Sequence, residues 1–226
     1  MILDYSKQSE LINTLEVEEP IHIIGCGALG SWIGFILLKM GFNNIHMYDF
    51  DTIEEHNIPN QLFMESQIGT TKTDAMMEIY KNFFIDADLR LTVHHGKLDE
   101  DSPILPGIIF CAVDTMSSRK ELYEKLFKYS TAGTLWIEGR LSLYGAYVYT
   151  LPHNVPAMYT KYETTLYDDV EAELSACGVS QTALPSAINT ATVMIMNMIE
   201  YINKPDGIYN ELQYSIPWLD CIKSKW

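Results

Sequence analysis

The residues best suited to chemistry in this sequence begin with a glycine-rich turn, GCGALG at residues 25–30, which follows an apolar run and opens a helical pattern at 31–40. Gly25 permits a tight turn, Gly27 lets the backbone approach a phosphate, and Gly30 lets the helix pack close to the strand. The first N–H groups of the helix and the positive end of its dipole favour an anion. The turn therefore predicts a phosphate-binding site.

A pair of acids lies at the end of the next apolar run. Asp49 and Asp51 follow residues 44–48, about 20 residues after the glycine turn, where an acid can accept hydrogen bonds from ribose hydroxyls. Asp51 is equally well explained as an acid that only shapes the turn. The succession of strand, glycine turn, helix, strand and acid predicts the first half of a nucleotide-binding α/β domain.

Alternating strand and helix patterns in the rest of the chain would place these residues at a sheet edge. Strands are predicted at 89–94, 107–112, 134–138, 143–151 and 208–216, and helices at 9–14, 68–84, 117–129 and 183–202. The pattern predicts an α/β fold, a Rossmann-like and mostly parallel sheet flanked by helices, with antiparallel C-terminal strands. Residues 1–226 are expected to form one domain, with a mobile crossover segment at 152–182 because that stretch is polar and poorly periodic.

Composition and charge argue against several classes of function. The 226 residues are 47% hydrophobic and 20% charged, which is typical of a globular protein. No apolar run approaches the length of a membrane span and the N-terminus lacks a basic-then-apolar signal, so the expected location is the cytoplasm. A formal charge of −15 would repel a phosphate backbone, which argues against nucleic-acid binding but suits a basic protein partner.

The four cysteines are scattered and include no C-x-x-C pair, which argues against a structural zinc site and against a disulfide framework. Cys26 and Cys111 lie inside predicted buried elements and are expected to be packing residues. The neighbouring His94 and His95 end a strand without a partner at metal-ligand spacing, and both are expected at the surface.

Five motifs in a fixed order carry a family resemblance. They are Gly25-x-Gly27-x-x-Gly30, Asp49-x-Asp51, Asn57-x-x-x-Gln61, Gly69-x-x-Lys72 and Ala112-x-Asp114. With this order and spacing, the chain resembles the ThiF/MoeB family of ubiquitin-activating-enzyme-like adenylyltransferases over residues 21–201. The segments at 137–140, 162–167 and 176–178 resemble the smaller free-standing bacterial and mobile-element members of that family.

The resemblance implies that ATP and Mg²⁺ activate the C-terminal carboxylate of a small ubiquitin-fold or sulfur-carrier protein as an acyl-adenylate, and that the chain forms a homodimer. Lys72 would neutralise the triphosphate, and Asp114, past a central strand, would bind Mg²⁺. Lys72 is otherwise a solvated lysine at a helix start, and Asp114 a helix N-cap. The implied nucleotide site comprises Gly25, Gly27, Ala28, Gly30, Asp49, Asp51, Asn57, Asn60, Gln61, Lys72, Asp114 and Thr115.

One departure from the family pattern concerns charge. The family usually has arginine directly before the glutamine, and this chain has Asn60 there, which offers no charge to the leaving pyrophosphate. Three side chains are candidates to replace the arginine. Arg119 follows Asp114 by about one helical turn and matches an arginine that the family often has, Arg140 follows a strand, and Lys7 could reach the site of a partner subunit.

Cys177 lies where many members of the family carry a thioester-forming cysteine, between the polar segment and the helix at 183–202. A helix start nearby would lower the pKa of its thiol and favour nucleophilic attack. The acids of the preceding segment, among them Asp168 and Asp169, would oppose thiolate formation if they lie close. A small buried loop cysteine is the alternative interpretation.

Two other classes of function fit parts of the pattern. An NAD-dependent oxidoreductase shares the glycine turn and the strand-end acid, but it gives no reason for Asn57, Gln61, Lys72 or Asp114. A non-catalytic relative that uses the nucleotide fold as a binding or regulatory module would explain Asn60. ATP–pyrophosphate exchange separates these alternatives.

Overall fold

A mixed sheet forms the centre of the computed structural model, which describes residues 3–85, 90–98, 102, 105–153, 155–169, 182–215 and 220–226. Its strands are β1 (Ile21–Ile24), β2 (Ile45–Asp49), β3 (Leu91–His95), β4 (Gly107–Cys111), β5 (Gly133–Leu141), β6 (Gly145–Pro152), β7 (Glu211–Ser215) and β8 (Asp220–Ser224). The spatial order of the eight strands is β3-β2-β1-β4-β5-β6-β7-β8. The first five are parallel, and β6, β7 and β8 add antiparallel pairs. The predicted fold class is confirmed.

Helices cover both faces of this sheet. They are α1 (Gly30–Met40), α2 (Lys72–Phe83), α3 (Met116–Tyr123), α4 (Pro156–Glu163) and α5 (Leu184–Asn203), and a π-helical turn, Glu124–Lys128, continues α3. Side chains of α1, α2 and α5 share one buried cluster with the sheet, and those of α3 and α4 share another on the opposite face. None of the described helices is both long and apolar enough to cross a membrane.

The central strands are apolar along their whole length because helices cover both of their faces. Every residue of β1 and of β4 is buried, as expected for interior parallel strands. Ile21 and Ile23 face the α1 side, whereas Ile24 belongs to the cluster on the α3 side. This packing fixes where the strands end and hence where the loops with polar residues begin.

Helix termini follow ordinary capping chemistry. The Thr71 hydroxyl accepts a hydrogen bond from the Asp74 N–H at the start of α2, and Gly41 closes α1 in the left-handed conformation. At α3 the cap is Thr115, whose hydroxyl accepts from the Ser118 N–H. The alternative that Asp114 is this N-cap is therefore wrong, because the helix begins one residue later than that role requires.

Some predicted elements differ from those observed. The leader forms two short 3₁₀ turns, Ser6–Gln8 and Thr14–Glu16, in place of a helix at 9–14. The polar stretch at 152–182 contains α4, which begins with Pro156 and has little amphipathic periodicity. The last strand, β8, has only exposed or half-buried residues and gave no sequence signal.

Candidate functional site

A cleft of about 760 Å³ opens at the carboxyl ends of β1 and β4, where the strand order reverses direction. This position is where open α/β sheets bind ligands, and the volume suits a small organic molecule. The predicted site residues that line it are Gly25, Gly27, Ala28, Asp49, Asp51, Asn57, Asn60, Gln61, Lys72, Asp114, Thr115 and Arg119. Gly30 lies beneath the cleft, not in its wall, and Cys177 lies outside the described residues.

The glycine turn is held together by contacts between backbone atoms. Gly25 has φ +93°, and a Cβ there would lie 2.7 Å from the carbonyl oxygen of Ala112. A Cβ on Gly30 would lie 1.7 Å from the carbonyl oxygen of Gly25. A Cβ on Gly27 would meet only the Gln61 Nε2, at 3.9 Å. Gly25 and Gly30 are therefore required by packing, whereas Gly27 leaves room for a ligand against the turn.

Asp49 fastens the glycine turn to the end of β2. Its buried carboxylate accepts hydrogen bonds from the Cys26 N–H at 2.6 Å and from the Asp51 N–H at 2.8 Å. Cys26 itself is fully buried, and burial raises the pKa of its thiol well above the ordinary value, with the Asp49 charge adding to the effect. Because a carboxylate has about four lone-pair positions, Asp49 keeps acceptor capacity toward the cleft.

Lys72 and Asp51 form an ion pair at the edge of the cleft. The Lys72 Nζ lies 2.7 Å from the Asp51 carboxylate, and the Lys72 N–H donates to the Asp51 carbonyl oxygen. The Lys72 side chain is 9% exposed and that of Asp51 48% exposed. The alternative that Lys72 is a solvated lysine is therefore wrong, and Asp51 does more than shape the turn because it holds this cation in place.

The polar loop after β2 presents amide groups to the cleft. Asn57 is buried and its side chain accepts from the Glu54 N–H at 2.9 Å, so it holds the loop in shape. Asn60 donates to the Thr182 hydroxyl at 2.5 Å. Among the described residues, Asn60 Oδ1 and Gln61 Oε1 are buried without a hydrogen-bond partner. Unpaired buried polar atoms are costly, so these two amides fit a site that a polar ligand fills.

Asp114 and Thr115 lie at the opposite wall of the cleft. Asp114 is exposed at the end of the β4 segment, and the Thr115 hydroxyl is engaged as the cap of α3. In the part of the chain that the structure describes, no three acidic, histidine or cysteine side chains converge on one point. A magnesium ion at Asp114 would therefore take its other ligands from phosphate oxygens and water, which is its usual preference in nucleotide sites.

The candidates for the absent arginine differ in position. Arg119 lines the cleft; its guanidinium forms an ion pair with the Glu138 carboxylate at 3.1 Å and donates to the Gly139 carbonyl oxygen at 3.0 Å and to the Val113 carbonyl oxygen. Arg140 pairs with the same Glu138 but does not line the cleft. Lys7 is exposed next to Gln8, whose side chain bonds to the Met40 carbonyl oxygen at the far end of α1 from the cleft.

Some residues of the site gave no sequence signal. Glu138 is fully buried beneath the cleft, and its contacts with Arg119 on α3 and Arg140 on its own strand show why a carboxylate is there. Asp169 accepts hydrogen bonds from the Met116 and Ser117 N–H groups at the start of α3, and hydrogen bonding by the Ser117 side chain, followed by that of the Met116 N–H, holds its pKa below the ordinary value. Asp168 lies 3.0 Å from Lys120. Asp168 and Asp169, two of the acids expected near Cys177, thus contact α3.

The fold and this cleft together define a Rossmann-like domain with a candidate nucleotide site. The chain belongs to the ThiF family, whose sequence model matches residues 13–217. The family predicted from the five motifs is therefore confirmed.

Relatives and solved structures agree with this assignment. The chain is 30% identical over 141 residues to the Nedd8-activating enzyme E1 catalytic subunit of Drosophila melanogaster, a match that covers 58% of this chain and 30% of the fly protein. It is 28% identical over 133 residues to the adenylyltransferase and sulfurtransferase MOCS3 of Culex quinquefasciatus, covering 55% of this chain and 30% of that protein. The chain thus spans about a third of the length of these curated relatives.

The crystal structure of E. coli MccB with ATP has the same fold, with a TM-score of 0.67 at 16% identity over 98% of this chain and 68% of that chain. At this level of identity the comparison establishes the architecture alone.

Proposed function

We propose that the chain is an adenylyltransferase that uses ATP to activate the C-terminal carboxylate of a small ubiquitin-fold or sulfur-carrier protein. The observation that carries the proposal is the convergence of Lys72, Asp114 and the Asn57–Gln61 loop with the glycine turn in one cleft. A dinucleotide oxidoreductase needs the turn and Asp49 but has no use for the others. The relatives' names, a Nedd8-activating enzyme and an adenylyltransferase, support the same reaction.

The residues of the cleft suit the parts of ATP. Asp49 keeps acceptor capacity for ribose hydroxyls, and the open backbone at Gly27 and Ala28 suits a phosphate next to the start of α1. Lys72 offers a compact positive charge to the triphosphate, and the amides of Asn60 and Gln61 complete the polar wall. The apolar side chains in the lining suit the base; they include Ile24, Tyr48, Val113, Leu98 and Leu122.

The reaction asks the protein mainly to orient the reactants and to neutralise charge. An oxygen of the partner's carboxylate attacks the α-phosphorus of ATP, the bond between that phosphorus and the α,β-bridging oxygen breaks, and pyrophosphate leaves. Lys72 and Arg119 stabilise the negative charge that moves onto the leaving group. Asp114 would hold a magnesium ion, whose chemistry when bound is to neutralise phosphate oxygens.

The oligomeric state, the cellular location and the surface of the partner protein are part of the same proposal. The family resemblance supports a homodimer, and the expected location is the cytoplasm. The acidic chain, with a formal charge of −15, suits a partner protein with a basic surface. Both the dimer and the location stay predictions.

ATP–pyrophosphate exchange tests the proposed function. The purified chain, Mg²⁺, ATP and labelled pyrophosphate would be incubated with candidate carrier proteins and with the same carriers lacking their C-terminal glycine or final residue. The expected result is incorporation of label into ATP only with an intact carrier C-terminus. Tight ATP binding without exchange for any carrier would favour the non-catalytic binding module that Asn60 suggests, and tighter binding of NAD than of ATP would overturn the proposal.

We further propose that Cys177 takes the acyl group from the adenylate as a thioester. Its sulfur would attack the acyl carbon, the bond to AMP would break, and AMP would leave. The expected result is a thiol-sensitive adduct between chain and carrier on a non-reducing gel, present for the wild type and absent for Cys177→Ser. Cys221→Ser is the matched control because Cys221 is exposed and distant from the cleft lining. An adduct that persists in Cys177→Ser would exclude Cys177 as the acceptor, and the absence of any adduct in the wild type would show that the reaction stops at the adenylate.

A further inference from the structure

The cationic side chains in the described wall of the cleft are mostly neutralised by partners. They are Lys72, Lys97 and Arg119. Lys72 lies 2.7 Å from Asp51, and Lys97 lies 3.9 Å from Glu121. Each of these two pairs brings as much negative as positive charge to the cleft. Asp49 and Asp114 add further negative charge to the same wall, and a triphosphate needs positive charge that these two pairs do not supply in surplus, so the surroundings of the third cation matter.

That remaining cation, Arg119, shares its carboxylate with a second guanidinium. Glu138 is fully buried, and its Oε1 lies 3.1 Å from Arg119 Nη1 and also accepts from Arg140 Nε. The Tyr162 hydroxyl donates to the other oxygen of Glu138. Burial alone raises the pKa of Glu138, but the two guanidinium groups outweigh it and hold the pKa below the ordinary value. Two positive charges therefore accompany one negative charge.

Arg140 is fixed in this arrangement by contacts on its far side. Its Nη1 donates to the Thr165 carbonyl oxygen at 2.7 Å and its Nη2 to the Thr165 hydroxyl at 3.1 Å. The guanidinium also lies over the Tyr149 ring, 4.5 Å from its centre. Burial works against the charge of Arg140, but Glu138 beside it raises its pKa above the ordinary value. Arg140 is thus a permanent cation, although it does not line the cleft.

We propose that Arg140 is a positioning residue for the nucleotide site. By sharing Glu138 it leaves Arg119 with surplus positive charge toward the phosphates, and so makes up for the arginine that Asn60 replaces. Among the described residues Arg119 makes two hydrogen bonds to carbonyl oxygens and one ion pair with Glu138, whereas a guanidinium has five N–H donors, so donors also remain for a phosphate. The inference rests on the proposed function, because it needs a polyphosphate in the cleft.

Arg119, Glu138 and Arg140 form a charged cluster, and its net charge gives a prediction that structural damage alone would not reproduce. The cluster carries +1 in the wild type, 0 in Arg140→Gln and +1 again in the double variant Arg140→Gln with Glu138→Gln. Charge affects ATP strongly and affects adenosine little. At the distances and effective dielectric of a partly buried site, loss of one charge corresponds to about tenfold weaker binding of an anion.

Calorimetry with ATP and with adenosine tests this, using the full chain at low ionic strength. Arg140→Gln is expected to bind ATP about tenfold more weakly and adenosine as the wild type does. Arg140→Lys and the double variant are expected to keep the wild-type ratio of the two affinities. Lys223→Gln, on β8 away from the cleft, is the control that removes one charge elsewhere.

The outcomes separate this inference from the proposed function. Equal weakening for ATP and adenosine in Arg140→Gln would make Arg140 a purely structural residue and overturn the inference, and so would unchanged ATP binding. If Arg140→Gln does not fold, the double variant decides: a reduced ratio of ATP to adenosine affinity overturns the inference, and the wild-type ratio supports it. Failure of the wild type to bind ATP would overturn the proposed function and this inference with it.

Discussion

The proposed magnesium site rests on Asp114, an exposed carboxylate that follows a buried central strand and is not the cap of α3. We expect Asp114→Asn to lower ATP–pyrophosphate exchange by about a hundredfold or more, since a metal-neutralised leaving group is worth several kcal/mol. The free energy of unfolding should change by less than about 0.5 kcal/mol, as for other surface positions. Exchange assays and urea unfolding measure the two effects.

Asp220→Asn is the matched control for that experiment, because Asp220 is an exposed aspartate on β8, away from the cleft lining. Exchange at a near wild-type rate in Asp114→Asn would remove Asp114 from the metal site. Equal losses in both variants would point to net charge and not to a ligand.

Gly25 offers a test of the turn that needs no ligand. Gly25 and Gly69 have φ of +93° and +88°, but only at Gly25 does a Cβ meet backbone atoms, with Ala112 O at 2.7 Å, whereas Gly69 has nothing within 4 Å. We expect Gly69→Ala to cost about 1 kcal/mol of unfolding free energy for the positive φ, and Gly25→Ala to cost about 3 kcal/mol or more because the clash adds to it. Equal costs in urea unfolding would show that the turn relaxes around the added methyl group.

Roles that depend on neighbouring residues could be predicted from the sequence, whereas contacts between residues far apart in the chain could not. The glycine turn and Asp49 were predictable because each role depends on neighbours within a strand–turn–helix unit. Glu138 was not, because its partners Arg119 and Arg140 come together only when α3 packs beside β5. The contact from Asn60 to Thr182 joins residues 122 positions apart, which no spacing reveals.

At the scale of the elements, three adjacent strands bring three histidines into contact. The rings of His22, on β1, and His46, on β2, stack at 5.0 Å, and His46 Nδ1 lies 3.2 Å from His94 Nε2, on β3. His94 also stacks on Tyr48 at 4.3 Å. The expectation that His94 is a surface residue was wrong, because strand pairing places it against this ladder and leaves it half-buried.

The contacts among His22, His46 and His94, which we call the histidine ladder, predict that the protein loses stability in mild acid. Burial, reinforced by the charge of His46, lowers the pKa of His22 to about 4 in the folded state. The unfolded chain, with an ordinary histidine pKa of about 6.5, takes up the proton first, so stability is complete above that pH and falls as the pH drops toward the folded pKa. For His22 alone the loss between pH 7 and pH 5 is about 2 kcal/mol.

Urea unfolding of the wild type and His22→Phe at pH 7 and pH 5 measures this effect. The variant should lose less stability than the wild type over the same interval, because it has no group to protonate in the unfolded state. His56→Asn is the control, since His56 is exposed. Identical pH dependence of the unfolding free energy in wild type and His22→Phe would show that His22 does not cause the loss of stability in acid.

The bounds of a strand or helix could be predicted best where its residues are strongly periodic or fully buried. The strands β1 and β4 and the helix α5 were placed within a residue or two because long apolar or amphipathic patterns mark them. The helix α4 was missed, because polar and aromatic residues alternate there without a clear face. The exposed strand β8 was missed because its residues do not alternate between core and solvent.

At the scale of the whole molecule, the position of Lys7 makes the predicted homodimer testable. Lys7 lies near the end of α1 opposite the cleft, so it can serve a nucleotide site only in a second copy. If it does, Lys7→Ala and Asp114→Asn subunits, each inactive alone, should regain about a quarter of the wild-type exchange per site on equal mixing, since about half of the dimers are then mixed and one of the two sites in each has both residues. Arg119 in its own subunit is the alternative, and no regain on mixing would favour it.

Sedimentation velocity of the wild type provides the necessary companion measurement. A dimer mass is expected at micromolar concentration, and a monomer mass with full exchange activity would exclude donation between subunits. Lys223→Ala subunits in the same mixing experiment control for loss of a remote lysine, because Lys223 lies on β8.

The backbone contact between Gly25 and Gly30 also limits which amino-acid substitutions this protein can accept. The atoms that exclude a side chain at these positions are carbonyl oxygens, of Ala112 and of Gly25 itself, and not the side chains of neighbours. In the helix packing at Gly34, by contrast, the obstructing atoms belong to Tyr80 and Met47, which a smaller residue could replace. Selection for revertants of a Gly34 variant should therefore yield second-site suppressors, whereas revertants at Gly25 or Gly30 should restore the glycine codon itself.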